Sequence, residues 1–278
     1  MNKRLESILL RAAVYTAIGL TAGVLLWIVG YILYKGVSHL TPSLFAWKYT
    51  SDNGSVTPAI VNTITMTMLA LTFALPIGVG AAIYLSEYAR RGNKVASVLR
   101  TAAQTLAGIP SIIYGLFGYL AFVIALGWSY SMLAGAMTLA LMILPVVLRT
   151  TEEALLSVPQ SVRDASFALG AGKLRTVFRV ALPSASPGIL SGVVLATGRV
   201  VGETAALIYT AGTVAQIPAT VMGSGRTLAI HMYALWKEGL AQDKAYATAV
   251  VLLVVSLGLN LLSDVVAKKL EKGREMHG

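Results

Sequence analysis

The chain has 278 residues, of which 56% are hydrophobic and only 12% charged, with a mean hydropathy of +0.73 and a formal charge of +10. Soluble domains carry about 25% charged residues, so an ordinary soluble fold is excluded and the chain belongs in a bilayer. Without cysteine it has neither a disulfide framework nor a thiolate metal site, and His39, His231 and His277 show no metal-ligand spacing.

A helix that crosses a bilayer needs about 20 apolar residues. Residues 12–34 carry no charge and follow Lys3, Arg4 and Arg11. The run exceeds the roughly 7 to 15 residues of a signal-peptide core, so it is expected to stay as a first span. Residues 57–86 are the second, with Thr57 and Pro58 as cap and first helical residue and a kink expected at Pro76. Residues 101–148 are again uncharged, too long for one crossing, and the polar GWSYS at 127–131 divides them into a third and a fourth. The fifth is expected over 187–212 and the sixth over 245–263. This is an all-α, polytopic membrane fold of six transmembrane helices with both termini on one side.

Lysine and arginine set the orientation. With the N-terminus inside, the inner segments hold 16 of the 22: Lys3, Arg4, Arg11, Arg90, Arg91, Lys94, Arg100, Arg149, Arg163, Lys173, Arg175, Arg179, Lys268, Lys269, Lys272 and Arg274. Lys35, Lys48, Arg226, Lys237 and Lys244 fall outside, and Arg199 alone falls within a span. The positive-inside rule accounts for the basic balance, and nucleic acid is not needed to explain it.

The largest inner loop contains residues 159–185. Ser161 and Asp164 have capping-box spacing and Gly170 is a helix stop, which predicts a short helix over 161–169. A second is expected over 173–180, ended by Pro183. Taken alone this is a solvated helical hairpin. The stretch GAGKL is not a phosphate loop, because that motif needs glycine where Phe167 stands and a hydroxyl where Leu174 stands.

Within this hairpin the spacing Asp164-Ala165-Ser166, three residues, Gly170, nine residues, Val180, one residue, Leu182-Pro183 resembles the E-A-A, G, I-x-L-P motif of the MetI-like, type I ABC importer permeases. Asp for Glu keeps an anion near the helix N-terminus, and Ser for Ala keeps a small side chain. The resemblance implies that the short helix is a coupling helix for a separate ATPase subunit. LAGIPSIIYGLFGYL (106–120), residues 148–171, GRVVGETAALIYTAG (198–212), HMYALWKEG and AYATAVVLL further resemble the permeases of phosphate importers from about residue 57 to 262.

That likeness implies a heterodimer with a homologous permease, two ATPase subunits and an extracytoplasmic phosphate-binding protein. ATP and Mg belong on the ATPase, with no cofactor and no enzyme activity on this chain, in a bacterial inner membrane. RTTEEAL and ETAALIYTAG favour one of the two homologous permeases; the other homologue, or a permease for another small anion, is the alternative. An implied division is 1–56 for the first helix and its outer loop, 57–264 for the permease domain and 265–278 for a cytoplasmic tail.

Arg199 lies 12 residues after Pro187, about 18 Å along a helix. A cation that deep should face the bundle interior and have a partner. On a continuous helix Glu203, at i+4, supplies it. One reading is a buried ion pair that orients the fifth span. The other puts Arg199 on an anion path, its guanidinium offering bidentate donors to phosphate and Glu203 compensating it when the path is empty. Ser111 and Tyr114 could line the path with hydroxyls, although such groups often bond between helices. Asn62, Thr63, Thr65 and Thr67 open the second span, and TLAIHMYALWKEG in the outer loop is an amphipathic stretch expected on the membrane surface. Arg199 and Glu203 alone are a poor catalytic set for a membrane hydrolase. A channel or structural subunit without an ATPase leaves the hairpin unexplained.

Overall fold

A computed structural model of the chain describes residues 3–275 except 91, 238 and 240. Arg91 and His277 lie outside the described residues, as do the side chains of Lys3, Arg4, Lys268, Lys269, Lys272 and Arg274. Among the described residues every regular element is helical. Five helices are long and apolar enough to cross a membrane, and a bent pair makes a sixth crossing if counted as one span.

The first helix, α1 (Lys3–Gly36), has an apolar stretch from Leu9 onward that is almost wholly exposed. It meets the last helix, α11 (Gln242–Glu275), at its own C-terminal end, where Gly36 lies against the Tyr246 carbonyl. The centre is built by α2 (Thr57–Ile83), α5 (Met132–Ser157) and α8 (Leu182–Val201). Met66, Ala70 and Ala74 of α2, Leu139, Met142 and Ile143 of α5, and Ala196 and Val200 of α8 form one buried core. Small residues on these faces let helix backbones approach, which is how helices associate in lipid. α2 stays helical through Pro76 and ends in a π-wound turn at Tyr84–Tyr88. As expected, GWSYS separates two elements: Gly127 and Ser129 take positive φ, and Ser131 caps α5 by accepting from the Ala134 amide.

The third span is not one rod. α3 (Lys94–Ala107) and α4 (Ser111–Gly118, continued by a π-wound segment Tyr119–Ala125) meet at 105°. Pro110 disfavours helix at the residue before it, and the Tyr114 hydroxyl donates to the Leu106 carbonyl at 2.8 Å, tying the two arms together.

The fifth span is displaced from its expected limits. It runs unbroken over Lys173–Val201, combining α7 (Lys173–Thr176), a π-wound turn at Val177–Ala181 and α8. Pro183 therefore starts α8 rather than ending the hairpin's second helix. It lies in the first turn of α8 directly after the π-wound turn, whose looser winding accommodates the missing N–H within the continuous helix. The outer end falls at Gly202, well short of residue 212.

The hairpin's first helix, α6 (Gln160–Ala168), has Pro159 at its N-cap and no side-chain cap, so the Ser161–Asp164 capping box is not formed. Asp164 instead accepts from the Gln160 amide at 3.0 Å. Its other end is as expected: Gly170 has φ +80°, with the Gly170 amide on Phe167 O and the Ala171 amide on Ser166 O. At the start of α2, by contrast, Val56 is the cap, so Thr57, expected as the cap, is the first helical residue and Pro58 the second. Beyond α8, α9 (Ala205–Ile208) is followed by a loop and then α10 (Leu228–Lys237). α10 buries Leu228, Ile230, His231 and Leu235, so this stretch packs into the protein rather than lying on the membrane surface.

Candidate functional site

α8 stops at Val201 with Gly202 as its C-cap, the β-branched Thr204 leaves the helical region at φ −125°, and the chain restarts as α9. Glu203 thus sits in a break, not one helical turn above Arg199. The expected i,i+4 ion pair is not formed, since it requires a continuous helix. The Glu203 carboxylate instead accepts from the Ala206 amide at 3.1 Å, at the start of α9 where unpaired amides favour an anion. Arg199 is half-buried and, among the described residues, has no hydrogen bond or ion pair. Its charge acts on the Tyr114 phenol of α4, so the two lie within electrostatic reach.

The depth of Arg199 follows from packing. Gly188 lies against Ala154, and Gly192 against Thr150. α8 and α5 therefore run antiparallel in step, and extending that register puts Arg199 level with about residue 143, midway along Met132–Ser157.

The short helix α9 that follows the break after α8 packs against α4. A Cβ on Gly115 would come within 2.7 Å of Ala206 Cα, so only glycine lets α4 and α9 touch backbone to backbone. Ser111 opens α4 and is half-buried. The first amides of α4 have no intrahelical acceptor and carry partial positive charge. Discontinuous helices meeting at mid-depth are a frequent way to build an anion site in a membrane transporter. Tyr114 is buried and its hydroxyl hydrogen is committed to Leu106 O, which leaves its oxygen only as an acceptor.

The hairpin is a built unit. Ser166 is buried and its hydroxyl pairs with Thr176 Oγ1 at 2.9 Å, joining α6 to α7. The serine that departs from the E-A-A pattern thus has a partner that alanine would lack. Asp164 and Ala165 are exposed, while Val180, Leu182 and Pro183 are half-buried. Leu182 packs against the inner core of Ile83, Leu155, Val158, Val177 and Ala185. Leu174 and Phe178 are exposed at the start of the fifth span, and Val162, Phe167 and Leu169 are exposed together on α6 and the turn that ends it, Leu169 at 89%. Apolar side chains exposed together on a segment outside the bilayer mark a protein-binding surface.

Sequence reasoning missed the charge pairs beneath this surface. Arg163 of α6 bonds Glu87 at 2.7 Å, and Arg100 of α3 bonds Glu152 of α5 at 2.7 Å. No local spacing links Arg163 to Glu87, which are 76 positions apart. In the segment between α9 and α10, buried Arg226 donates from Nε to His231 Nδ1 at 3.0 Å and stacks over Tyr49 at 4.5 Å. His231 Nε2 donates to Gly54 O. Burial, reinforced by the Arg226 charge, lowers the His231 pKa to about 3, so the imidazole is neutral. Asn62 Nδ2 donates to Gln216 O and Arg226 O, and Thr63 Oγ1 accepts from the Leu228 amide. The polar opening of α2 therefore anchors the outer loop.

Residues 74–275 match the family described as binding-protein-dependent transport system inner membrane component. The chain belongs to this family: it is a permease subunit of an ABC importer, a multi-pass protein of the inner membrane. Among its relatives, the probable ABC transporter permease protein YqgI of Bacillus subtilis (strain 168) is 33% identical over 292 residues, 97% of this chain and 99% of that one. The phosphate transport system permease protein PstA of Yersinia pestis is 33% identical over 259 residues, 88% and 84% of the two chains. In fold it is similar to a chain of the MetNI methionine ABC transporter in an inward-facing conformation (TM-score 0.63, 22% identity, 76% of this chain and 94% of that one). It is also similar to a chain of a bacterial alginate ABC transporter (TM-score 0.65, 18% identity, 96% and 98%).

Proposed function

We propose that this permease imports inorganic phosphate, and that the anion passes Arg199 between the two helix breaks. The observation that carries the proposal is an arginine at mid-depth with no anionic partner among the described residues, within electrostatic reach of Tyr114 of α4. Phosphate carries between one and two negative charges near neutral pH and matches the planar donor fork of a guanidinium. Glu203 stays close in sequence and limits the net attraction, because conduction requires binding weak enough to leave. Relatives named for phosphate transport support the choice of solute.

The same reading supplies the partners. The homologous permease PstC completes a heterodimer around the path. Two PstB ATPases hold ATP and Mg and receive the exposed apolar side chains of the α6 hairpin, with Asp164, Ala165, Ser166, Gly170, Val180, Leu182 and Pro183 forming the coupling element. An extracytoplasmic PstS delivers phosphate to the outer face, and both termini lie in the cytoplasm. The test is reconstitution of the full complex in vesicles: ATP should drive uptake of radiolabelled phosphate and not of sulfate. Equal uptake of both anions, or none of phosphate, overturns the reading.

A further inference from the structure

The guanidinium of Arg163 is 8% exposed at the residue level and joins three elements. Nε and Nη2 both donate to Glu87 Oε1, at 3.1 and 2.7 Å, on the π-wound turn that ends α2. Nη1 donates to Val158 O at 2.6 Å and Nη2 to Leu155 O at 2.8 Å, carbonyls at the C-terminal end of α5. A cation there also suits the negative end of the helix dipole. The same π turn is gripped from the other side, where Arg100 Nη2 donates to Leu85 O at 3.1 Å while its Nε holds Glu152 of α5. Meanwhile the Ser166–Thr176 bond ties α6 to the helix that carries Arg199.

We infer that Arg163 and Glu87 are positioning residues that make α6 and the inner ends of α2 and α5 move as one body. The inference rests on reading α6 as the ATPase contact. The apolar side chains offered to that partner are exposed, whereas Arg163 points the other way, into the spans. A buried pair with four bonds resists shear between its elements, because separating them strands a charge and two carbonyls at once. An α6 resting on the spans through apolar contacts alone could slide, since such contacts are non-directional. The link thus converts a displacement of α6 into a displacement of the inner ends of the spans.

Glu87→Gln in the complete complex tests the link. Glutamine keeps an acceptor for Arg163 but removes the charge. The complex should assemble and hydrolyse ATP at a near-normal rate, while phosphate uptake per ATP falls by at least about tenfold. Uptake and hydrolysis falling in proportion overturns the inference. A second measurement needs no solute and uses the absence of native cysteine in the chain. Nitroxides at Ile77→Cys and Ala168→Cys should keep one distance with and without ATP-vanadate in the otherwise unsubstituted chain, and should separate into a second population with Glu87→Gln. Identical behaviour in both backgrounds overturns the link, even if Glu87→Gln proves hard to assemble. Lack of phosphate uptake by the unsubstituted complex counts against the proposed solute alone.

Discussion

Arg163 and Arg199 are both cations held among apolar helices, and they differ in what surrounds them. Arg163 has a carboxylate and two helix-terminal carbonyls within bonding distance. Arg199, midway along the bundle, has no such partner among the described residues, and the nearest acid in sequence is turned to an amide of α9. Removing an ion from water costs several kcal/mol unless partners offset it. A fully bonded guanidinium is therefore a fastener. A guanidinium without such partners is, on the function proposed above, where a passing anion would be held and released.

The contrast is tested first where the expected effect is largest. Arg163→Ala leaves Glu87 buried without its cation, a change that costs about 3 to 5 kcal/mol. Thermal unfolding of the purified complex should show that loss; a drop no larger than at an exposed arginine such as Arg149 would mean the pair holds nothing together. Arg199→Gln should do the reverse. Folding, assembly and ATP hydrolysis should persist, because no partner is orphaned, while phosphate uptake falls roughly a hundredfold, the scale of losing a charge-assisted donor pair worth about 3 kcal/mol. Near-normal uptake would remove Arg199 from the path.

Gly115→Val asks whether α4 and α9 must adjoin. The new Cβ would meet Ala206 Cα at 2.7 Å, and backbone cannot yield as a side-chain tip can. Overpacking of this kind costs about 1 to 3 kcal/mol. Uptake should fall with the loss of stability, and an unchanged melting temperature would show that α4 and α9 separate freely.

Much of this architecture is legible before folding, because lipid demands long apolar helices and positive inner loops. The separation of α4 from α5 at GWSYS and the helix stop at Gly170 follow from local chemistry. What escapes is nonlocal or depends on helix winding. Pro183 has the pattern of a terminator, yet a π turn just before it lets the helix run on. Gly202 occupies what looks like a continuing span, so the i,i+4 geometry of Arg199 and Glu203 could not be known to fail. The Tyr114 bond that secures the α3–α4 bend reaches only to Leu106, but nothing in the residue pattern distinguishes it from a hydroxyl lining the path. The Arg163–Glu87 link depends on bringing distant segments together.

The smallest effect concerns a third arginine, between the two extremes. Arg226 is 4% exposed and faces a neutral histidine instead of an acid. His231 has its pKa lowered from 6.5 to about 3 by burial first and the Arg226 charge second. In the unfolded chain His231 takes up a proton below about pH 6.5, whereas the native imidazole does not until about pH 3. Between those values the unfolded state binds more protons, so stability falls as pH falls, by at most about 1.4 kcal/mol per pH unit. Above that window the residue adds no pH dependence. His231→Gln keeps hydrogen-bonding capacity without titrating, so its unfolding curve should lose this slope between pH 6.5 and 5 even if it is less stable throughout. Parallel pH profiles for the two proteins would mean that His231 protonates in the native state, and Arg226 would then need an anion close by, as Arg163 has.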